Sequence, residues 1–144
     1  MWFIYALTAS ITWGLVYTID GFLFKHLSVP VVMASRFLVL ACACVIWALL
    51  AGDIGKDITL LKSNPSLRWY YLLNVCALLA AEALIAFSIA SKNATLASLV
   101  EISYPLFIVF FSYMLFSEFA LTAATAVGGA LIMLGISIIY WYGG

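Results

Sequence analysis

The chain has 144 residues, of which 67% are hydrophobic and 8% are charged. Soluble domains are about 45–50% apolar and about 25% charged, and one of this length leaves roughly a third of its surface exposed to water, so the composition excludes an ordinary soluble fold. Six Lys/Arg residues balance six Asp/Glu residues, which leaves no basic stripe for nucleic acid. The composition therefore indicates an integral membrane protein.

Five stretches are long and apolar enough to cross a membrane, since a spanning helix needs about 20 mostly apolar residues. Their apolar residues are continuous rather than alternating, which indicates helices and not barrel strands. In chain order, the predicted helices cover about residues 2–24, 29–51, 68–90, 94–116 and 120–142. We therefore predict an all-α fold, an integral membrane bundle of five transmembrane helices, with residues 1–144 as a single transmembrane domain.

Local signals mark the breaks between these helices. Pro30 suits the first turn of the second helix, and Asn93 is placed to cap the fourth. Residues 52–67 form the one long connection. Its middle, from Ile58 to Leu61, is expected to lie along the membrane surface as a short amphipathic turn.

The distribution of Lys and Arg gives a weak signal for orientation. Lys56, Lys62 and Arg68 lie on the side of the N-terminus, whereas Lys25 and Lys92 lie on the other side. Cytoplasmic connections are normally richer in Lys and Arg, so the long connection favours a cytoplasmic N-terminal side. The difference is small, and both a single orientation and insertion in two orientations stay open.

Four ionisable residues fall inside the predicted spans: Asp20, Arg36, Glu82 and Glu101. Such residues are costly in hydrocarbon and mark functional sites in membrane proteins. At about 1.5 Å per residue, all four lie about 6–12 Å from the same membrane surface, on four different helices. This shared level predicts one polar chamber that binds substrate and a proton. The alternative for Arg36 is a buried pair with one acid that only fixes helix packing.

The surroundings of two acids extend this prediction. Trp13, Tyr17 and Asp20 are four and three residues apart, so they share a helix face. Aromatic rings that lead to a carboxylate suit an organic or cationic substrate, although an ordinary packing stripe has the same spacing. Pro105 follows Glu101 by four residues and cannot donate to its carbonyl. A helix kink beside a polar site is a transporter feature, but a tolerated membrane proline would also produce one.

The fifth predicted helix carries no charged side chain and has small residues at Gly128 and Gly135. Small residues let another helix approach closely, so we assign these glycines to packing or dimerisation.

No residue pattern predicts an enzyme, a metal site or a cofactor. The single histidine, His26, has no partner at metal-ligand spacing, and Cys42, Cys44 and Cys76 lie in predicted spans, where packing is the expected role. The chain has neither a His–Glu metal motif nor a nucleophile elbow.

Short motifs follow one another in a characteristic order along the whole chain. They are Trp13-Gly14, Arg36-Phe37, the run from Ala90 to Ala94, Ser98-Leu99, Pro105, Glu118, and Gly128-Gly129-Ala130 with Gly135. Together they resemble the EamA-like domain of the drug/metabolite transporter superfamily.

The resemblance implies an architecture larger than this chain. Typical members have ten helices in two five-helix halves of inverted orientation, and they move small molecules by alternating access. This chain looks like one half, as in the small five-helix bacterial and archaeal members. The resemblance therefore implies an antiparallel homodimer or a heterodimer with a paralogous half. The three acids do not belong to the general family pattern, so their role rests on their depth in the membrane.

We thus predict a multi-pass protein of the cell (inner or cytoplasmic) membrane that transports a metabolite, drug or cation. Transport is expected to be proton-coupled alternating access by an inverted dimer, with a small-molecule substrate and the lipid bilayer as the other partners. The alternatives are a flippase-like or accessory membrane subunit that needs a different partner, or a small assembly protein. The sequence leaves the substrate, the coupling ion and the direction of transport open.

Overall fold

A computed structural model describes residues 1–52, 54–118 and 122–142. These residues form helices and connections, with no strand among them, and the all-α prediction is confirmed. The helices are α1 (Trp2–Leu23), α2 (Val29–Ala51), α3 (Ile54–Ser63), α4 (Pro65–Ser91), α5 (Ala94–Glu101), α6 (Tyr104–Phe116) and α7 (Ala123–Tyr142).

Five segments are long and apolar enough to span a membrane: α1, α2, α4, α5 together with α6, and α7. They are 20 to 27 residues long, which matches a hydrocarbon core of about 30 Å. The predicted class of a five-helix membrane protein is therefore confirmed. The first residues of the predicted fifth helix, 120 and 121, lie outside the described residues, and the assignment of 1–144 to a single domain stays a prediction.

The spans bury very little of themselves within the chain. In the most apolar window of each span, at most 11% of the residues are buried. Large apolar side chains are exposed along every span, for example Leu50, Leu84 and Phe110. Such a surface suits a hydrocarbon environment and would be unstable in water.

The chain divides into two compact units. The first consists of Met1–Gly21 and Ser88–Gly144, and it contains most of α1 with α5, α6 and α7. The second consists of Phe22–Phe87, and it contains α2, α3 and most of α4.

Local chemistry sets the helix boundaries in the long connection. Gly52 ends α2 in the left-handed conformation, with a φ of 78°, and its N–H donates to the Ala48 carbonyl. The connection then forms α3, a helix of ten residues where only a short turn was expected. The next span begins at Pro65, earlier than the predicted residue 68, because Asn64 Oδ1 accepts from Leu67 N at 3.1 Å and Pro65 fits a first turn.

Two further helix ends carry capping geometry. Asn93 is extended and caps α5, since its Oδ1 accepts from Leu96 N at 2.8 Å. Ser117 follows α6 in the left-handed conformation, with a φ of 56°. Its N–H donates to the Tyr113 carbonyl at 2.9 Å, and the N–H of Glu118 donates to the Ser112 carbonyl at 3.3 Å.

Candidate functional site

A hydrogen bond joins Tyr17 of α1 to Glu101 of α5 within the first unit. Tyr17 Oη donates to Glu101 Oε1 at 2.9 Å, and both side chains are half-buried. The two residues are 84 positions apart in the chain, so only the packing of α1 against α5 brings them together. Polar groups in an apolar environment are costly unless hydrogen-bonded, and this contact supplies each of them with a partner.

An aromatic pair extends from this hydrogen bond along α1. The rings of Trp13 and Tyr17 have centroids 5.4 Å apart and planes at 44°, within the range of favourable aromatic contacts. Trp13 is 46% exposed. One edge of the pair thus reaches the Glu101 carboxylate, while the other presents an open indole ring.

Asp20 continues the same face of α1 and is the one buried charged side chain among the described residues, at 3% exposure. Next to it, α1 and α5 approach each other closely, because a methyl group added at Gly21 would lie 3.5 Å from Ala94 Cβ. Ala94 is the first residue of α5, directly after its cap Asn93. Asp20 therefore lies where α1 passes the beginning of α5.

The span that contains Glu101 is interrupted directly after this residue. Glu101 is the last residue of α5, Ile102 and Ser103 form a turn, and α6 begins at Tyr104 with Pro105 in its first turn. Around the turn, the N–H of Ile102 donates to Ser98 and that of Ser103 to Val100. Because Pro105 has no N–H, the Glu101 carbonyl receives no bond from position 105.

The position of Glu101 has an electrostatic consequence. The C-terminal end of a helix carries partial negative charge from its last carbonyl groups. Glu101 adds a carboxyl group at such an end, and the Tyr17 hydroxyl supplies one donor. An ionised carboxylate at this place would attract a positively charged group.

Arg36 and Glu82 lie in the second unit, on α2 and α4. Both side chains are half-buried. Arg36 shares a face of α2 with the buried Val32, four residues earlier. Glu82 likewise shares a face of α4 with the buried Ala86, four residues later. Each charged group thus lies on the face that its helix buries, while the single chamber for all four ionisable residues stays a prediction.

The predicted packing glycines have open surroundings. A Cβ added at Gly128 or Gly135 would have no neighbour within 4 Å, whereas one added at Gly129 would lie 2.5 Å from Leu106 Cδ2. The close approach between α6 and α7 therefore uses Gly129, which was named above only within a family motif and was not predicted as a packing residue. Within the part of the chain that the structure describes, the faces at Gly128 and Gly135 are not used for contacts of this kind.

The partner of Tyr17 was also missed from sequence. The spacing of Trp13, Tyr17 and Asp20 pointed to Asp20 as the acid at the end of the aromatic face, while the Tyr17 hydroxyl bonds to Glu101. No spacing signal could have linked these helices. Among the described residues, no three His, Cys, Asp or Glu side chains are placed to hold a metal ion.

Comparison with known proteins identifies the family of this chain. The model of the EamA-like transporter family matches residues 1–141, while no curated protein and no solved structure matches the chain. That family consists of membrane transporters rather than enzymes. With its five spans, the chain is a multi-pass, transporter-like membrane protein, and it belongs to the EamA-like transporter family.

Proposed function

We propose that the protein is a proton-coupled secondary transporter of a small molecule in the cell membrane. Glu101 is the group that binds the proton and the substrate, and Tyr17, Trp13 and Asp20 form the rest of the binding face. The hydrogen bond between Tyr17 and Glu101 at the end of α5 carries this proposal.

A single carboxylate is enough to exchange a proton for a substrate. An ionised Glu101 accepts the Tyr17 O–H, and it can instead bind either a proton or a cationic group of a substrate. When one of these replaces the other, substrate movement is linked to proton movement. The exposed indole of Trp13 offers a face for the apolar or cationic part of the substrate.

The helix interruption at Ile102 and Ser103 would allow the span to bend beside this carboxylate. Discontinuous helices next to a polar site are a common device of secondary transporters. The turn has only two residues between α5 and α6. A change of direction there would move Glu101 relative to α6, as alternating access requires.

Arg36 and Glu82, two half-buried charged residues of the second unit, take part in the same function. Charged side chains within membrane spans normally face protein or a water-filled cavity. Their places on the buried faces of α2 and α4 fit that role. We assign Glu82 to proton transfer and Arg36 to substrate binding or to charge balance.

The working form is an inverted dimer, either of two copies or of this chain with a paralogous half. Five spans that bury at most 11% of their apolar windows leave wide faces for a second five-helix half. Gly128 and Gly135 on α7 have room for an approaching helix.

Proton coupling is tested in vesicles that contain the purified protein. A thermal-shift screen of metabolites, amino acids and organic cations identifies a substrate, and a pH-sensitive dye inside the vesicles then follows proton movement. Glu101→Gln and Glu82→Gln are expected to lose coupled movement, whereas Glu118→Gln, at an exposed position after α6, retains it. Full coupling in both of the first two variants would show that these carboxylates do not carry the proton.

The dimer is tested by orientation. Single cysteines introduced at Lys25 and Lys62, in a chain without Cys42, Cys44 and Cys76, are labelled from each face of intact cells. Two orientations support an inverted homodimer. One orientation, combined with transport only when a second five-helix chain is added, supports the paralogous pair. One orientation with full transport by the chain alone contradicts an inverted arrangement. If neither arrangement transports any substrate, the accessory-subunit alternative replaces this proposal.

A further inference from the structure

The helix α3 lies between two spans but belongs to neither of them. Its ten residues are about 15 Å long, about half the thickness of the hydrocarbon core. The left-handed Gly52 separates it from α2, and the Asn64 cap separates it from α4. It is therefore too short to cross the membrane and is not a continuation of either span.

The two faces of α3 differ in chemistry. Ile54, Ile58 and Leu61 recur at helical spacing and form one face. Lys56, Thr59 and Ser63 form the opposite face, and all three are exposed. Ile58 is 46% exposed, so the protein itself covers the apolar face incompletely.

Aromatic residues locate this helix at the edge of the membrane. Trp47 lies one turn before the end of α2, and Trp69, Tyr70 and Tyr71 lie in the first two turns of α4. All four are exposed, and Trp and Tyr collect at the level of the lipid headgroups. Because α3 joins these two helix ends, it lies at the same level.

The charges of the connection favour an anionic surface. Lys56, Lys62 and Arg68 are exposed, and the acids within residues 53–68 are Asp53 and Asp57. Both acids precede Ile58, whereas Lys62 and Arg68 follow it, so the second half of the connection carries only positive charge. A cation near an anionic membrane surface gains about five-fold in association.

We propose that α3 is an in-plane membrane helix that binds anionic lipid. Ile54, Ile58 and Leu61 enter the boundary between headgroups and acyl chains, and Lys62 and Arg68, with Lys56, bind the negatively charged headgroups. Amphipathic helices with basic polar residues lie in the interface in this way. The proposal concerns the second unit alone and holds whether or not Glu101 carries a proton.

Lipid selectivity tests the charged part of the proposal. The full chain is placed in vesicles of phosphatidylcholine with spin-labelled phosphatidylglycerol or spin-labelled phosphatidylcholine, and the protein-bound fraction of each label is measured. The wild-type chain is expected to prefer the anionic lipid. Lys62→Gln with Arg68→Gln lowers that preference by up to about five-fold for each cation removed, whereas Lys62→Arg with Arg68→Lys, which keeps both charges in place, preserves it. An unchanged preference in the first double variant would overturn the proposal.

The depth of α3 gives a second test that does not depend on charge. Nitroxide labels are attached at Ile58→Cys or Thr59→Cys in a chain whose native cysteines are replaced by alanine. Collision with oxygen should dominate at position 58, and collision with a water-soluble nickel complex should dominate at position 59. Equal accessibility at the two positions would show that α3 does not lie in the interface.

Discussion

Gly129 of α7 lies so close to Leu106 of α6 that a methyl group added to it would be 2.5 Å from Leu106 Cδ2. Gly128, its neighbour in the chain, has no such contact. Gly129 therefore packs within the chain, whereas Gly128 is left open for the second half that we propose.

Gly129→Leu is expected to destabilise the protein by about 1–3 kcal/mol, because the added atoms overpack the contact between α6 and α7. The measurement is thermal unfolding in detergent. Gly129→Ala should cost less, since the end of the Leu106 side chain can rotate away.

Gly128→Leu is the matched control for this contact. It should leave the unfolding temperature close to that of the wild type while lowering the yield of cross-linked dimer. Equal destabilisation by leucine at positions 128 and 129 would contradict the conclusion that only Gly129 packs against α6.

Tyr17→Phe removes one O–H and keeps the ring against Trp13. Because a hydrogen bond to a charged group contributes about 1.5–3 kcal/mol, we expect transport to fall by about ten-fold or more. The measurement is uptake by vesicles with the substrate found by thermal shift. Tyr5→Phe, at an exposed position on the same helix, should transport normally, and a normal rate for Tyr17→Phe would contradict a role for the hydroxyl.

Pro105→Ala returns an N–H to the position that faces the Glu101 carbonyl. We expect a straighter span, with nitroxide labels at positions 95 and 110 separated by about 22 Å between backbones, as in a continuous helix. Pulsed electron spin resonance measures this distance, and vesicle uptake should fall because the interruption is lost.

Pro65→Ala is the control for this prediction. Pro65 is the first residue of α4, where its missing N–H costs no hydrogen bond within the helix. Faster transport in Pro105→Ala than in the wild type would contradict the assigned role of the interruption.

Substitutions at two residues in the left-handed conformation should change the free energy of unfolding in opposite directions. Ser117 has a φ of 56° and Gly52 a φ of 78°, a region that costs a residue with a Cβ roughly 1–2 kcal/mol. Ser117→Gly should therefore raise the free energy of unfolding by up to about 1 kcal/mol, and Gly52→Ala should lower it by a similar amount. Unfolding in SDS titrations measures both, and the same sign for both changes would refute the argument.

The sequence predicts the spans well because one physical constraint dominates them. Hydrocarbon disfavours charge, so the long stretches with few charged residues mark the helices, and Asn93 marks a cap by its side-chain chemistry alone. The length of α3 was underestimated because ten residues of mixed polarity give only a short apolar pattern.

The site could be predicted only as a set of candidates. Depth in the membrane identified Glu101, and spacing along the first helix identified Tyr17. Their hydrogen bond depends on how α1 packs against α5, which spacing within one helix does not encode. The same limit explains why Gly128, and not Gly129, was predicted as a packing residue. Two adjacent glycines look alike in sequence, and only the position of Leu106 distinguishes them.

Glu101 links α1 to the end of α5, through its side chain on one side and its backbone on the other. Its side chain is bonded to α1 through Tyr17, and its backbone is the last point of α5 before the turn. Helix α5 is about 12 Å long, so a tilt of about 10° at the turn would displace its far end by about 2 Å. That displacement is enough to separate Ala94 from Gly21. A small rotation beside the carboxylate would therefore loosen the contact near Asp20, and Asp20 and Glu101 would respond to one motion.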